Sequence, residues 1–387
     1  MELNSKQEQG LKIAVARYKS HEPYTCIAGY AGTGKSTLIN FIISALDIEP
    51  EKVGYVAYTG KAAQVLRSKG CPTAMTAHRL LYKSIQQKDG TFIHIPISSL
   101  PGLKLVVVDE ISMLPDKMWQ LLLSHHVHVI ACGDPFQLPP IGDDNHVLDN
   151  PHIFLDEIMR QAKESEIIRL SMDIRDRKAI KPYRGAEINV VPHNQFCDGM
   201  LLWADQVLCG KNNTRHELND YYRKMKWGDS VDLSVPLVGD KVICLKNNWE
   251  RVTQVGEALV NGTIGELTKI STTPNRWLGQ KCLIDFKPES ADDLDLVDQQ
   301  WHDLLIDWQL ITTHVPTLNK ENFSMFPRKL RPELFDYGYV ITCHKAQGSE
   351  YEKVLVLEEM LKATDHARWL YTACTRASDK LTLVLKE

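Results

Sequence analysis

The chain has no Cys-x-x-Cys pair, no net positive charge, no internal repeat and no low-complexity tract. Each absence removes a class of protein. Its nine cysteines are scattered, which fits reduced, buried thiols better than a disulfide or zinc framework, and each is expected to be a small core residue. The apolar runs, such as residues 103–108, fall far short of the roughly 20 residues a membrane helix needs. The opening Met1-Glu2-Leu3-Asn4-Ser5-Lys6 is polar, with no signal-type apolar core after it, so no membrane partner and a cytoplasmic place are expected. With a formal net charge of −4, any grip on a polyanion has to come from local basic patches. What is there is ordinary: 387 residues, 43% hydrophobic and 24% charged, imply a globular protein of two or three domains.

Residues 24–28, 53–58 and 103–108 read as short, almost wholly apolar strands of the buried parallel type, with 127–131 as a fourth. Helical patterns follow at 38–46 and 61–69, and Gly70 fits the position just past a helix end. Strands alternating with helices imply an α/β sheet. Residues 82–99 differ: Asp89-Gly90 between 83–88 and 91–97 is a hairpin signal. A second α/β region begins near residue 154. There Thr214-Arg215-His216-Glu217 has capping-box spacing, and Leu218, Tyr221, Tyr222 and Met225 recur at helical intervals. From residue 231 the texture becomes antiparallel, with strands at 240–245, 263–270 and 281–286 and a tight turn at Asn261-Gly262. The acidic stretch 290–307 reads as solvated surface. Strands at 339–342, 353–357 and 380–385 and a helix at 365–375 then restore the α/β texture.

Gly29-Tyr30-Ala31-Gly32-Thr33-Gly34-Lys35-Ser36 fits G-x-x-x-x-G-K-[ST] between an apolar strand and an apolar helix. Glycines let backbone N–H groups close around phosphate oxygens, and the helix N-terminus adds partial positive charge. Gly29, Ala31, Gly32, Thr33, Gly34, Lys35, Ser36 and Thr37 are therefore the expected ATP-binding residues. Lys35 reaches the β- and γ-phosphates, and the Ser36 hydroxyl ligates Mg²⁺. Residues 105–108 end in Asp109-Glu110. Asp109 is the second expected Mg²⁺ ligand, through water, and Glu110 orients or deprotonates the attacking water. These two motifs give an NTPase and no more, since kinases, GTPases and transporters share them.

The remaining motifs are Leu3-Asn4-Ser5-Lys6-Gln7, Ala57-Tyr58-Thr59-Gly60-Lys61-Ala62-Ala63, Thr76-Ala77-His78-Arg79-Leu80-Leu81, Gly133-Asp134-Pro135-Phe136-Gln137-Leu138-Pro139-Pro140, Leu155-Asp156-Glu157-Ile158-Met159-Arg160-Gln161, Tyr339-Val340-Ile341-Thr342-Cys343-His344-Lys345-Ala346-Gln347-Gly348-Ser349-Glu350 and Tyr371-Thr372-Ala373-Cys374-Thr375-Arg376-Ala377. In order and wording they resemble the Q motif and motifs Ia, Ib, III, IV, V and VI of superfamily 1B helicases of the RecD and Dda type. The resemblance departs at Tyr58, where Pro is common, and is weak over 82–99 and 231–330.

The resemblance implies roles. Gln7 reads the adenine edge, Gln137 senses the γ-phosphate, and Arg160 and Arg376 join Lys35 and Glu110 as catalytic residues. Gly348 and Glu350 lie near the nucleotide. Thr59, Gly60, Lys61, Thr76, His78, Thr342 and His344 contact single-stranded DNA, and the basic residues of 211–226 add phosphate contacts or form a solvated helix face. Phe92 is the candidate base-pair wedge.

The implied fold is α/β: two RecA-like P-loop NTPase lobes, parallel sheets flanked by helices, with a β-hairpin insertion in the first lobe and an SH3-like β-barrel insertion in the second. The expected domains are 1–153 (hairpin at 82–99), 154–230, an inserted barrel at 231–334, and 335–387 completing the second lobe. The implied activity is ATP- and Mg²⁺-dependent 5′→3′ movement on single-stranded DNA with duplex unwinding. The alternative is a DNA-stimulated ATPase subunit of a recombination or repair complex that translocates without unwinding alone. A kinase leaves motifs IV to VI without a role, and a non-catalytic DNA-binding module leaves Lys35, Asp109 and Glu110 without one. Expected partners are single-stranded DNA, single/double-strand junctions and replication, repair or recombination proteins, for a monomer in a bacterial or phage-infected cell.

Overall fold

The computed structural model describes residues 3–86, 92–139, 145–159, 162, 164–254, 258–272, 281–289, 299–307, 311, 332–360 and 365–386. They fall into two compact units, one drawn from 1–87, 92–205 and 346–387, the other from 206–345.

The first unit is built on a parallel six-stranded sheet. Its strands are β1 (Tyr24–Gly29), β2 (Val53–Ala57), β3 (Met75–Thr76), β6 (Leu105–Val108), β7 (His128–Gly133) and β8 (Ile153–Leu155), in the spatial order β3-β2-β6-β7-β1-β8. The intervening β4 (Tyr82–Gln86) and β5 (Phe92–Pro96) pair with each other in antiparallel register. Alternation along β6 shows why its unbroken apolar run suits a sheet covered on both faces. Leu105 and Val107 pack with Ile27, Leu38, Ile42 and Ile130, whereas Val106 and Val108 pack with Cys26, Met118, Trp119 and Val129. Helices α1 (Ser5–Lys19), α2 (Lys35–Ala45) and α3 (Gly60–Ser68) follow the expected order. Gly70, at φ +93°, stands just past α3. The same unit holds a second set of strands. Ile188–Pro192 and Tyr351–Leu357 both pair in parallel with Ala377–Leu385, and Tyr183–Arg184 adds an antiparallel edge.

In the second unit, residues 207–209 pair in parallel with 340–342, under the helix Asn212–Trp227. The antiparallel strands Lys241–Cys244, Ile264–Thr272, Lys281–Pro288, Trp301–Asp307 and Phe335–Tyr337 form one five-stranded sheet.

Four readings change here. The acidic stretch is not all solvated surface: Trp301–Asp307 is a strand, with Trp301, Leu304, Leu305 and Ile306 buried and Trp301 stacked on Phe286 at 5.7 Å. Apolar side chains at those places outweigh the charge of their neighbours, because burial follows the pairing partner. The helix at 212–227 begins two residues before Thr214, with Lys211 as its N-cap and no side-chain cap bond, so the capping box does not form. Its buried face is Arg215, Asn219 and Arg223, spaced four apart, while Tyr221 is exposed. Arg215 forms a short ion pair with Asp336, and Arg223 pairs with Asp240 at 3.1 Å. Two of the basic residues offered for phosphate contact are therefore buried in ion pairs. Among the cysteines, Cys197 is exposed and Cys71 only half-buried, against seven that are buried.

Candidate nucleotide site

Parallel strands bring their carboxyl ends to one edge, the side where α/β sheets bind ligands. At that edge stand Gly29 at the end of β1, Thr59 beyond β2, Asp109 after β6 and Asp134 after β7. The phosphate loop runs from β1 into α2, with Ser36 exposed and Thr37 half-buried in the first turn. Lys35 Nζ donates to the carbonyls of Gly29 (2.8 Å) and Tyr30 (3.0 Å), and Thr33 Oγ1 donates to Tyr30 O (2.8 Å). Gly34 has φ +79°, and a Cβ there would lie 2.5 Å from Gln7 Nε2, so only glycine fits. Gln7 is buried. Its Oε1 accepts from Asn4 N (3.1 Å) in a capping box, and its Nε2 donates to the carbonyls of Thr33 (3.3 Å) and Gly34 (3.4 Å). Its amide thus holds the loop's backbone to α1.

Asp109 is anchored by its N–H on Val56 O at 2.9 Å. Burial, and then the charge of Glu110, push its carboxyl up to about 6, with Lys35 acting in the opposite direction. Glu110 adopts φ 52°, ψ 52°, a left-handed conformation that costs a non-glycine residue about 1–2 kcal/mol. Strain of this kind persists where the surroundings over-determine the residue.

Gln137 meets both sides of this cluster. With its amide oxygen facing Arg376 Nη2 at 3.2 Å, its nitrogen donates to Glu110 Oε2 at 3.2 Å. Arg376 is itself buried, its Nε donating to Thr372 O (3.0 Å) and its Nη1 to Ser349 O (3.2 Å). Lys35, Asp109, Glu110, Gln137 and Arg376, spread over more than 340 positions of sequence, are thereby brought to one region. Arg160 lies outside the described residues. Phe92 opens β5, but its side chain, like the turn at 87–91, lies outside them as well.

Of the other candidates, Thr59 Oγ1 caps α3 by accepting from Ala62 N (3.1 Å), with Gly60 and Lys61 half-buried beside it. Thr76 Oγ1 caps the short helix Ala77–Leu81 through Arg79 N (3.3 Å). His78 stacks on Tyr82 at 5.9 Å. Gly348, at φ +72°, packs against α3: a Cβ there would meet Ala62 Cβ at 3.0 Å. Glu350 pairs with Lys69 at 2.5 Å. In the second unit Thr342 is buried at the end of its strand and His344 lies in the 3-10 turn Cys343–Ala346.

Three residues escaped the sequence reading. Tyr371 OH accepts from Ala31 N (2.9 Å) and donates to Asp134 Oδ2 (2.5 Å). Thr372 Oγ1 accepts from Leu138 N (2.9 Å), and Gln347 Nε2 donates to Leu138 O (2.7 Å). The available signal was two adjacent hydroxyls in the otherwise apolar run Trp369-Leu370-Tyr371-Thr372-Ala373-Cys374, since buried hydroxyls need partners.

Residues 2–187 match the family model of an AAA domain, and residues 337–384 that of the UvrD-like helicase C-terminal domain. Over 92% of its length the chain is 26% identical to the ATP-dependent RecD2 DNA helicase of Deinococcus radiodurans, of which it spans 46%. Over 45% of its length it is 27% identical to the ATP-dependent DNA helicase dda of Enterobacteria phage T4, spanning 41% of that protein. It thus spans less than half of each of these relatives. The fold is shared with solved Pif1 helicases. One structure, of two coordinating Pif1 helicases on forked double-stranded DNA, aligns at a TM-score of 0.54 and 17% identity, over 100% of this chain and 92% of that one. Another, from Bacteroides, in complex with ADP-AlF3 and single-stranded DNA, aligns at 0.50 and 16% over 99% and 92%.

Proposed function

We propose that this chain, a relative of the superfamily 1B helicases of the RecD and Dda type, is an ATP-driven helicase that moves 5′→3′ on single-stranded DNA and unwinds duplex. The observation that carries the ATPase half is the place of the Gln137 amide between Glu110 and Arg376, 3.2 Å from each, assigned with its nitrogen toward the carboxylate and its oxygen toward the guanidinium because only that orientation satisfies both. An amide joining a carboxylate to a buried guanidinium, beside a phosphate loop, is a means of making hydrolysis depend on how the segments that carry them are set. Polarity rests on the resemblance to superfamily 1B helicases and DNA as substrate on the names of the relatives, not on the geometry.

In this reading the backbone N–H groups of the loop and Lys35 bind the β- and γ-phosphates, Lys35 exchanging its carbonyl partners for phosphate oxygens. Glu110 accepts a proton from the attacking water, and Gln137 holds Glu110 and Arg376 in mutual register. Arg376, joined by Arg160, stabilises the charge of the transferring phosphoryl group. The residues fit a divalent cation: the burial and like charge that raise Asp109 are relieved by positive charge, and Ser36 supplies a hydroxyl. Bound Mg²⁺ supplies neutralisation of phosphate charge there, with Ser36 and Asp109 holding it.

Thr59, Gly60, Lys61, Thr76, His78, Thr342 and His344 are the proposed contacts to single-stranded DNA, Gln7 the adenine contact, and Phe92 the wedge. The proposed division is two RecA-like lobes meeting near residue 153, with an SH3-like barrel over 231–334. The test is ATP hydrolysis by the purified chain with and without single-stranded DNA. Stimulation by DNA, lost in Lys35→Ala, is expected; hydrolysis indifferent to DNA contradicts the motor.

A further inference from the structure

We propose that Tyr371 is a positioning residue whose single hydroxyl ties the phosphate loop and the 134–138 loop to the helix that precedes Arg376, so that Gln137 and Arg376 are set together. This rests on the ATPase reading above.

The hydroxyl uses both its capacities. It accepts from Ala31 N at 2.9 Å and donates to Asp134 Oδ2 at 2.5 Å. The direction is forced, because a backbone N–H only donates, while burial raises the phenol's affinity for its proton. The ring is 1% exposed and edge-on to Phe136 at 5.2 Å, so its place is fixed.

Asp134 passes the constraint on. Its Oδ1 accepts from Phe136 N at 2.9 Å and shapes the first turn of the loop. The other end is held by the next residue of the same helix, where Thr372 Oγ1 takes Leu138 N at 2.9 Å. Two consecutive residues of His366–Cys374 thus clamp both ends of a five-residue loop, and Gln137 lies between the clamps. Arg376, just beyond that helix, meets Gln137 from the far side at 3.2 Å. A tyrosine needed only for packing would leave Phe acceptable. Here Phe would strand a buried carboxylate oxygen, and with it the register of Gln137.

The test measures DNA-stimulated ATP hydrolysis by Tyr371→Phe, Asp134→Asn and the double variant, as kcat and KM per binding-competent site, counted by titration with a fluorescent ATP analogue. We expect kcat to fall about 10- to 100-fold with KM nearly unchanged, as for a small misplacement of catalytic groups. The double variant is expected to be no worse than the worse single one. Should Tyr371→Phe fail to fold, Thr372→Val removes the other clamp at constant shape and is expected to lower kcat alone. Titration-normalised kcat within about twofold of the unaltered chain, or two losses that simply multiply, overturns the proposal. Absence of DNA-stimulated hydrolysis in the unaltered chain is a separate failure, that of the ATPase reading itself.

Discussion

At the scale of single residues, the site is a set of groups that each need something the others provide. Glu110 needs its left-handed turn to leave the strand with its carboxylate beside Gln137. Glu110→Gln keeps that backbone and removes the proposed base. Hydrolysis is expected to fall about 10²- to 10⁴-fold while ATP binding, read by fluorescence titration, persists. Arg376→Lys keeps a charge but loses the planar fork that serves Thr372 O, Ser349 O and Gln137 at once. A loss of about 10³-fold in hydrolysis is expected, as for removal of an arginine finger. The phosphate loop and the Asp109-Glu110 pair were legible in sequence because their chemistry is local: a few residues at fixed spacing, between a strand and a helix. Tyr371 was not. Its partners lie 340 and 237 positions away, and nothing in a hydroxyl announces which distant N–H or carboxylate it will meet.

At the scale of elements, strands and helices were found where apolar periodicity put them, within a few residues. The sequence misled where polar residues face inward. The helix Asn212–Trp227 buries Arg215, Asn219 and Arg223, while Leu218, Tyr222 and Met225 of its apolar pattern are half-buried and Tyr221 is exposed. Asp240 accounts for one of the buried arginines. Fully buried, it accepts from Arg223 Nε (3.1 Å), Trp227 Nε1 (3.1 Å), Tyr339 OH (2.9 Å) and Leu237 N (2.7 Å). Asn219 adds a two-way bond to the strand, through Val340 N (3.0 Å) and Val340 O (2.9 Å). Breaking one partner of such a pair leaves an uncompensated charge. Asp240→Ala is expected to destabilise by about 3–5 kcal/mol, measured by urea unfolding. A loss below about 1 kcal/mol would mean that the charge on Arg223 finds water. The strand Trp301–Asp307 carries the same lesson in reverse, since charge-rich neighbours hid the apolar side chains that pair into the sheet.

At the scale of the whole molecule, stability should depend on pH through two histidines of the first unit. His128 Nδ1 and Nε2 face Glu22 O (2.7 Å) and Thr25 Oγ1 (3.1 Å), and His152 Nδ1 accepts from Cys26 N at 2.9 Å. Burial, followed for His152 by the charge of Arg17, holds both below the ordinary imidazole value. A base with a depressed folded value binds its proton more readily when unfolded, so stability rises with pH across that window. The stabilisation is whole above about 6.5 and is lost as pH falls below it toward the folded values. Between pH 7 and pH 5 the two histidines therefore lower the thermal midpoint, while Asp109, its carboxyl raised to about 6, acts in the opposite sense, and His152→Gln should remove part of the histidines' share and so change the slope. Equal slopes would remove His152 from the account.

The central claim is a motor with a direction. Strand separation on two partial duplexes, one with a 5′ and one with a 3′ single-stranded tail, tests it most directly, in ATP and Mg²⁺ with Lys35→Ala as control. Unwinding from the 5′ tail alone, abolished in Lys35→Ala, is predicted. Unwinding from the 3′ tail alone, or 5′-tail unwinding that survives Lys35→Ala, contradicts the account.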